Sequence, residues 1–204
     1  MKMSCHDPAR PEDRSPRRML PKIFGLCLAL LPAAPALASD RQTDTAKSTL
    51  GFKGSVGGNG FDGRFKAWRA TIAFDPADPA AGHAEISIDM ASAVTGAGQR
   101  DQALTGSDWF DARHAPEASF DAKGFVAKGG NQFEAPGILT IRGVSKAVTL
   151  PFTLEIVGDN AHAIGTLDIL RDDFGIGQGE WAGGDIVGLK VAIVFDLQAK
   201  RTSS

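Results

Sequence analysis

Val187-Gly188-Leu189-Lys190-Val191-Ala192-Ile193-Val194-Phe195-Asp196-Leu197 carries an apolar side chain at every odd-numbered position. A period of two is the mark of a strand with one buried face, and it dominates the chain from Leu50 onward. Leu50 and Phe52 open the series. Phe61, Gly63 and Phe65 keep one parity while Trp68, Ala70, Ile72 and Phe74 keep the other, so a bulge is expected near Lys66. Ala84, Ile86, Ile88 and Met90 then alternate with His83, Glu85, Ser87 and Asp89. The pattern returns at Ala118 and Phe120, at Phe133 to Ile141 and at Val148 to Ile156, and less regularly between Ala163 and Leu170. Turn chemistry separates the runs, as in Asp75-Pro76-Ala77-Asp78-Pro79, Gly129-Gly130-Asn131 and Gly158-Asp159-Asn160. Only Gln99 to Asp111 breaks the alternation, and it reads as a helical or irregular insertion.

About eight strands result, which argues an antiparallel all-β domain. Period alone does not separate a sandwich from a barrel. Eight is the strand number at which a closed barrel either just fills with side chains or holds one small ligand. Gly63, Gly137 and several alanines fall in inward registers, where a filled barrel would use bulk, and this tilts the reading toward a ligand cavity.

The composition suits an ordinary folded chain: 204 residues, 43% hydrophobic, 23% charged and a net charge of -2. Without a basic excess there is no electrostatic grip on nucleic acid. Ile23 to Leu31 is apolar, follows Arg17, Arg18 and Lys22, and precedes Ala36-Leu37-Ala38. This is the layout of a secretory signal peptide over residues 1–38, cleaved after Ala38, leaving a domain of residues 39–204 in the periplasm. The apolar run is too short to span a membrane, which takes about 20 residues. Both cysteines, Cys5 and Cys27, precede the cleavage point, so the mature chain is expected to have no disulfide, thiolate nucleophile or zinc-thiolate site.

His83, His114 and His162 show no metal-ligand spacing and read as exposed or capping residues. No metal or catalytic residue is assigned. Gly175-x-Gly177-x-Gly179 lacks the strand-turn-helix context of a phosphate loop and reads as a glycine-rich turn. Asp108 and Asp111 could form a carboxylate pair, but capping of short helical turns is the plainer role for them. Twelve Phe and three Trp with no Tyr supply bulky apolar surface without phenolic hydroxyls, as a site for a lipid tail would.

The stretch Arg100-Asp101-Gln102-Ala103-Leu104-Thr105-Gly106-Ser107-Asp108-Trp109-Phe110-Asp111 resembles the central signature of the YceI family of secreted lipocalin-like proteins. So do Gly137-Ile138-Leu139-Thr140-Ile141-Arg142-Gly143-Val144-Ser145-Lys146, Arg171-Asp172-Asp173-Phe174-Gly175-Ile176 and Ile72-Ala73-Phe74-Asp75-Pro76, all in family order. The resemblance implies an eight-stranded antiparallel lipocalin-like barrel with a short helical insertion after the third strand. It also implies an elongated apolar pocket for a polyisoprenoid or isoprenoid quinone, and no enzymatic activity. Where many members carry a His in the first strand, this chain has Val56, so no head-group contact is implied at that position.

Given the resemblance, the lumen is assigned to Phe61, Phe65, Leu104, Trp109, Phe110, Phe120, Phe133, Leu139, Phe152, Leu154, Phe174, Val191 and Ile193. Arg100, Asp101, Arg142 and Arg171 are expected to tie the helical segment to the barrel through charge-assisted hydrogen bonds. Selectivity should follow tail length and shape more than the head group. The expected partner is an amphiphilic lipid, bound non-covalently and with no cofactor, together with transient contact to a membrane or a quinone-using membrane protein. Nucleic acid is not expected, and the protein is expected to be a monomer or weak homodimer. Two alternative readings on the same fold stand beside it: a lipid-modifying enzyme with Asp101 or Asp108 as base, and a stress-related surface module. The first is disfavoured because the sequence offers no mature Cys, no local His-carboxylate pair and no nucleophile elbow.

Overall fold

The computed structural model describes residues 40–202. They form twelve strand segments: β1 (Asp40–Thr43), β2 (Thr49–Val56), β3 (Asn59–Phe65), β4 (Trp68–Ala73), β5 (His83–Asp89), β6 (Ala93–Val94), β7 (Glu117–Lys123), β8 (Val126–Gly129), β9 (Gln132–Ile141), β10 (Val144–Val157), β11 (Asn160–Leu170) and β12 (Lys190–Arg201). One α-helix, α1 (Gly98–Leu104), lies between β6 and β7. The signal-peptide reading of residues 1–38, with Cys5 and Cys27, lies outside the described residues.

Three pairs of segments are single barrel strands with an interruption. β1 and β2 both pair with β12 and are joined by a turn in which Asp44 Oδ1 accepts from the Ala46 and Lys47 amides. Ser48 closes that turn, its hydroxyl donating to the Asp44 carbonyl at 2.7 Å and accepting from the Gln198 amide at 2.9 Å. The break between β3 and β4 falls at Lys66 and Ala67, where the parity of the apolar series switches. Between β5 and β6, Asp89 caps a 3-10 turn over Met90–Ser92 by accepting from the Ala91 amide at 2.9 Å. Counted this way, eight antiparallel strands run in sequence order around a closed barrel, and β8 is a short flap on β9. The ring closes through Arg41↔Arg201, Gln42↔Lys200 and Thr43↔Ala199 between β1 and β12. The helical insertion follows the third strand, as the resemblance implies.

Alternation fixes which face of each strand is buried. In β9, Phe133, Ala135, Leu139 and Ile141 are buried, whereas Ile138 faces outward at 44% exposure. β9 turns into β10 through Arg142 and Gly143, both at positive φ (54° and 74°), the requirement of a tight two-residue hairpin. The strained Arg142 is anchored by its side chain, whose Nη1 donates to the carbonyls of Trp109 and Gly175 at 2.9 and 2.8 Å.

The inward glycines do not mark empty space, contrary to the sequence expectation. A Cβ on Gly63 would strike the ring of its register partner Phe52, and one on Gly137 would come within 2.7 Å of the Phe120 ring. Gly54 under Phe61 and Gly165 under Phe195 repeat the arrangement. Each glycine is a flat patch of wall over which a neighbouring strand's phenyl ring lies. The Val187–Leu197 series is also shorter as a strand than its alternation suggests: β12 starts at Lys190, and Val187 enters the interior from the preceding loop.

Candidate functional site

The interior holds two abutting apolar compartments. The larger encloses about 1190 Å³ of space free of protein atoms, mouth included, and the smaller about 670 Å³. Ile86, Phe120, Leu150, Phe195 and Leu197 line both and form a waist between them. The barrel wall supplies most of the lining, because the inward face of every long strand is apolar.

Nine of the thirteen residues assigned from the sequence line the larger compartment: Phe61, Phe65, Leu104, Trp109, Phe110, Phe120, Leu139, Val191 and Ile193. Phe152 and Leu154 line the smaller one. Phe133 and Phe174 line neither, and their assignment to the lumen is corrected. Phe133 belongs to an aromatic plug, 5.3 Å from Phe74 and 5.6 Å from Phe152 between ring centroids, with Phe125 edge-on to Phe74 at 5.2 Å. Phe174, 2% exposed, sits in the 3-10 turn Arg171–Phe174, beside a surface groove lined by Lys146 and Val148.

The insertion and the loop from Arg171 to Leu189 cover the larger compartment. α1 contributes Leu104, the turn after it Trp109 and Phe110, and the loop Ile176 and Val187. Several contacts hold these pieces together. The amides of Gly177 and Gln178 donate to the Asp108 carbonyl at 2.7 and 2.8 Å. Trp109 packs on Trp181 with centroids 5.9 Å apart. Asp101 accepts from the Thr95 hydroxyl and amide at 2.7 and 2.6 Å, and these bonds hold its carboxyl below the usual carboxylate range. Arg100 makes a different contact from the hydrogen bond expected, lying 4.2 Å over the Phe61 ring.

Arg171 is the centre of the covering loop. It is 2% exposed, and its guanidinium reaches the carbonyls of Ile176, Gly177, Trp181, Gly183, Val187 and Gly188 while facing the Trp109 ring at 5.6 Å. A side chain with five N–H donors suits six converging carbonyls as no lysine would. Among the described residues, Arg171 is the sole charged group lining the larger compartment, and Arg41 the sole one lining the smaller.

Asp101 and Asp108, the candidate bases, line neither compartment. The expectation of no local His-carboxylate pair is corrected by His114 Nδ1 with Asp111 at 2.9 Å, and a second pair, distant in sequence, joins His162 Nε2 to Asp196 at 2.7 Å. Both also lie away from the lumen lining. The first was within reach of the sequence, since the residues are three apart in a turn; the second needed the β11–β12 pairing. The sequence reading also missed Arg41. The alternation that marks a strand is apolar, and β1, Asp-Arg-Gln-Thr, has none.

A closed antiparallel barrel with a two-compartment apolar lumen and a strapped-down cover defines a lipocalin-like architecture. The chain belongs to the family described as the YceI-like domain, whose model matches residues 42–199. A UPF0312 protein of Pseudomonas savastanoi pv. phaseolicola is 32% identical over 162 residues, covering 75% of this chain and 84% of that protein. The crystal structure of Burkholderia cenocepacia BcnA superposes with a TM-score of 0.76 at 36% identity, covering 78% of this chain and all of the other. A Saccharophagus degradans structure described as a polyisoprenoid binding domain shares the fold, with a TM-score of 0.64 at 17% identity over 82% of this chain and 100% of that one.

Proposed function

We propose that this protein is a periplasmic carrier that sequesters an amphiphilic isoprenoid lipid, a polyisoprenoid or an isoprenoid quinone, in the barrel lumen. The observation that carries the reading is the lumen itself: two abutting compartments walled by apolar side chains and covered by a hydrogen-bonded loop. The description of the S. degradans neighbour as polyisoprenoid-binding supports the same class of ligand. Each buried methylene contributes about 0.8 kcal/mol, so ~15 tail carbons would yield on the order of 12 kcal/mol before the cost of immobilising a flexible chain. That suffices for micromolar or tighter binding. On this reading the protein binds its ligand without transforming it and works as a monomer or weak dimer, exchanging lipid at a membrane or with a quinone-using membrane protein. Export with cleavage after Ala38 would place it in the periplasm.

Mass spectrometry of an organic extract from protein purified out of its native host tests the proposal. An isoprenoid amphiphile at near-stoichiometric yield is expected. Several independent preparations without any amphiphile would overturn it.

A further inference from the structure

Two arginines reach the lumen, and their hydrogen bonding differs. Arg171 is enclosed by carbonyls. Arg41, only 5% exposed, uses Nη1 to donate to the Asp159 carbonyl at 3.2 Å, and its Nε and Nη2 have no partner. Buried N–H groups are almost always paired, and a charged one left open carries an especially high desolvation cost. Thr43, two residues along and therefore on the same face of β1, also has a buried hydroxyl oxygen without a partner. The carboxylates of Asp75 and Asp159 lie near enough to favour the charged form, but neither accepts a bond from the open nitrogens. Burial first, and the Arg201 guanidinium opposite in register second, hold Arg41 below the ordinary arginine value. Around it the smaller compartment is apolar, with Phe74, Leu154, Ala161 and Ala199 in its wall.

Resting on the carrier reading above, we propose that Arg41 is a head-group site: it takes the carboxylate of an amphiphile whose chain passes the waist into the larger compartment. The Nε–H and Nη2–H edge presents two parallel donors, which fit the two oxygens of a carboxylate. One guanidinium also balances one negative charge, so the pair would sit in the apolar compartment without net charge. A doubly charged phosphate monoester would leave one charge uncompensated there. The lumen then reads the head group as well as the tail, whereas the sequence led us to expect selectivity for the tail more than for the head group.

Titrations of the purified protein at neutral pH with geranylgeranoic acid, its methyl ester and geranylgeraniol test the site. Palmitic acid and hexadecanol, run alongside, tell an isoprenoid source of the carboxylate from a straight-chain one. In the parent, an acid should bind about 10- to 100-fold more tightly than its neutral analogue. Arg41→Met should remove that difference while still binding the alcohol, which also shows that the variant is folded. Arg41→Lys, keeping the charge without the two-donor edge, should retain part of it. Equal affinity for acid and alcohol in the parent, or a preference that survives in Arg41→Met, overturns the head-group site and leaves the carrier reading standing. Failure of every chain to bind the parent overturns both.

Discussion

Arg171 and Gly177 show how far one position depends on another. Gly177 has φ of +80°, and a Cβ there would run into Arg171 Nη1, so the residue must be glycine for both backbone and packing reasons. Gly177→Ala would push the guanidinium off its carbonyls and strain the backbone together. We expect it to destabilise the fold by roughly 2 to 4 kcal/mol, read as a lowered melting temperature by circular dichroism. The sequence marked Arg171 through its motif and Gly177 as part of a turn, but it did not couple them. Their six-carbonyl cage draws on a loop whose acceptors extend from Ile176 to Gly188, and backbone acceptors leave no trace in residue identity.

Among the elements, α1 is tied through Asp101, which bridges to Thr95 just before the helix. The Thr95 hydroxyl, followed by the Thr95 amide, holds the Asp101 carboxyl below its ordinary value. A carboxyl depressed in the folded state contributes stability above its unfolded pKa of about 3.9, and that contribution is lost as pH falls through the folded value. Once corrected for the intrinsic pH dependence of the chemical step, amide hydrogen exchange in α1 should therefore accelerate in acid below that range. Asp101→Asn should accelerate it at neutral pH and flatten the acid response, whereas exchange in β11 and β12 should change little. Most strands were legible because their buried faces alternate, and even the β3–β4 break showed as a parity switch. β1 and β8 were not: β1 is polar and closes the ring by backbone pairing, and all four residues of β8 are exposed.

For the whole molecule, the lumen was foreseen in kind through the family resemblance, whereas the inward glycines offered as a second clue are roofed by phenyl rings. The side chains that line it were legible where strands alternate; Phe133 was misplaced because inward parity does not say whether a ring meets a void or another ring, and Phe174 because it sits in the 3-10 turn after β11, where strand parity says nothing. Leu139 offers a direct test of the void. It is 4% exposed, stands opposite Phe120 of the waist in register, and lines the larger compartment. Leu139→Trp should let the indole enter that space, weakening long-chain binding about tenfold or more while barely moving the melting temperature. A solid interior would instead be overpacked, at a cost of roughly 1 to 3 kcal/mol. Melting curves and ligand titrations of the same variant separate the two.

The Trp109–Trp181 contact over the larger compartment has an optical consequence. With three tryptophans and no tyrosine in the chain, near-ultraviolet emission comes from Trp68, Trp109 and Trp181 alone. Trp109 faces the space a tail would fill and is in ring contact with Trp181, whereas Trp68 lines neither compartment. Entry of an apolar chain changes the polarity around one coupled indole pair, while the third indole lies outside the lining. The protein thereby carries its own fluorescent gauge of occupancy, and loading and release can be timed on unlabelled material.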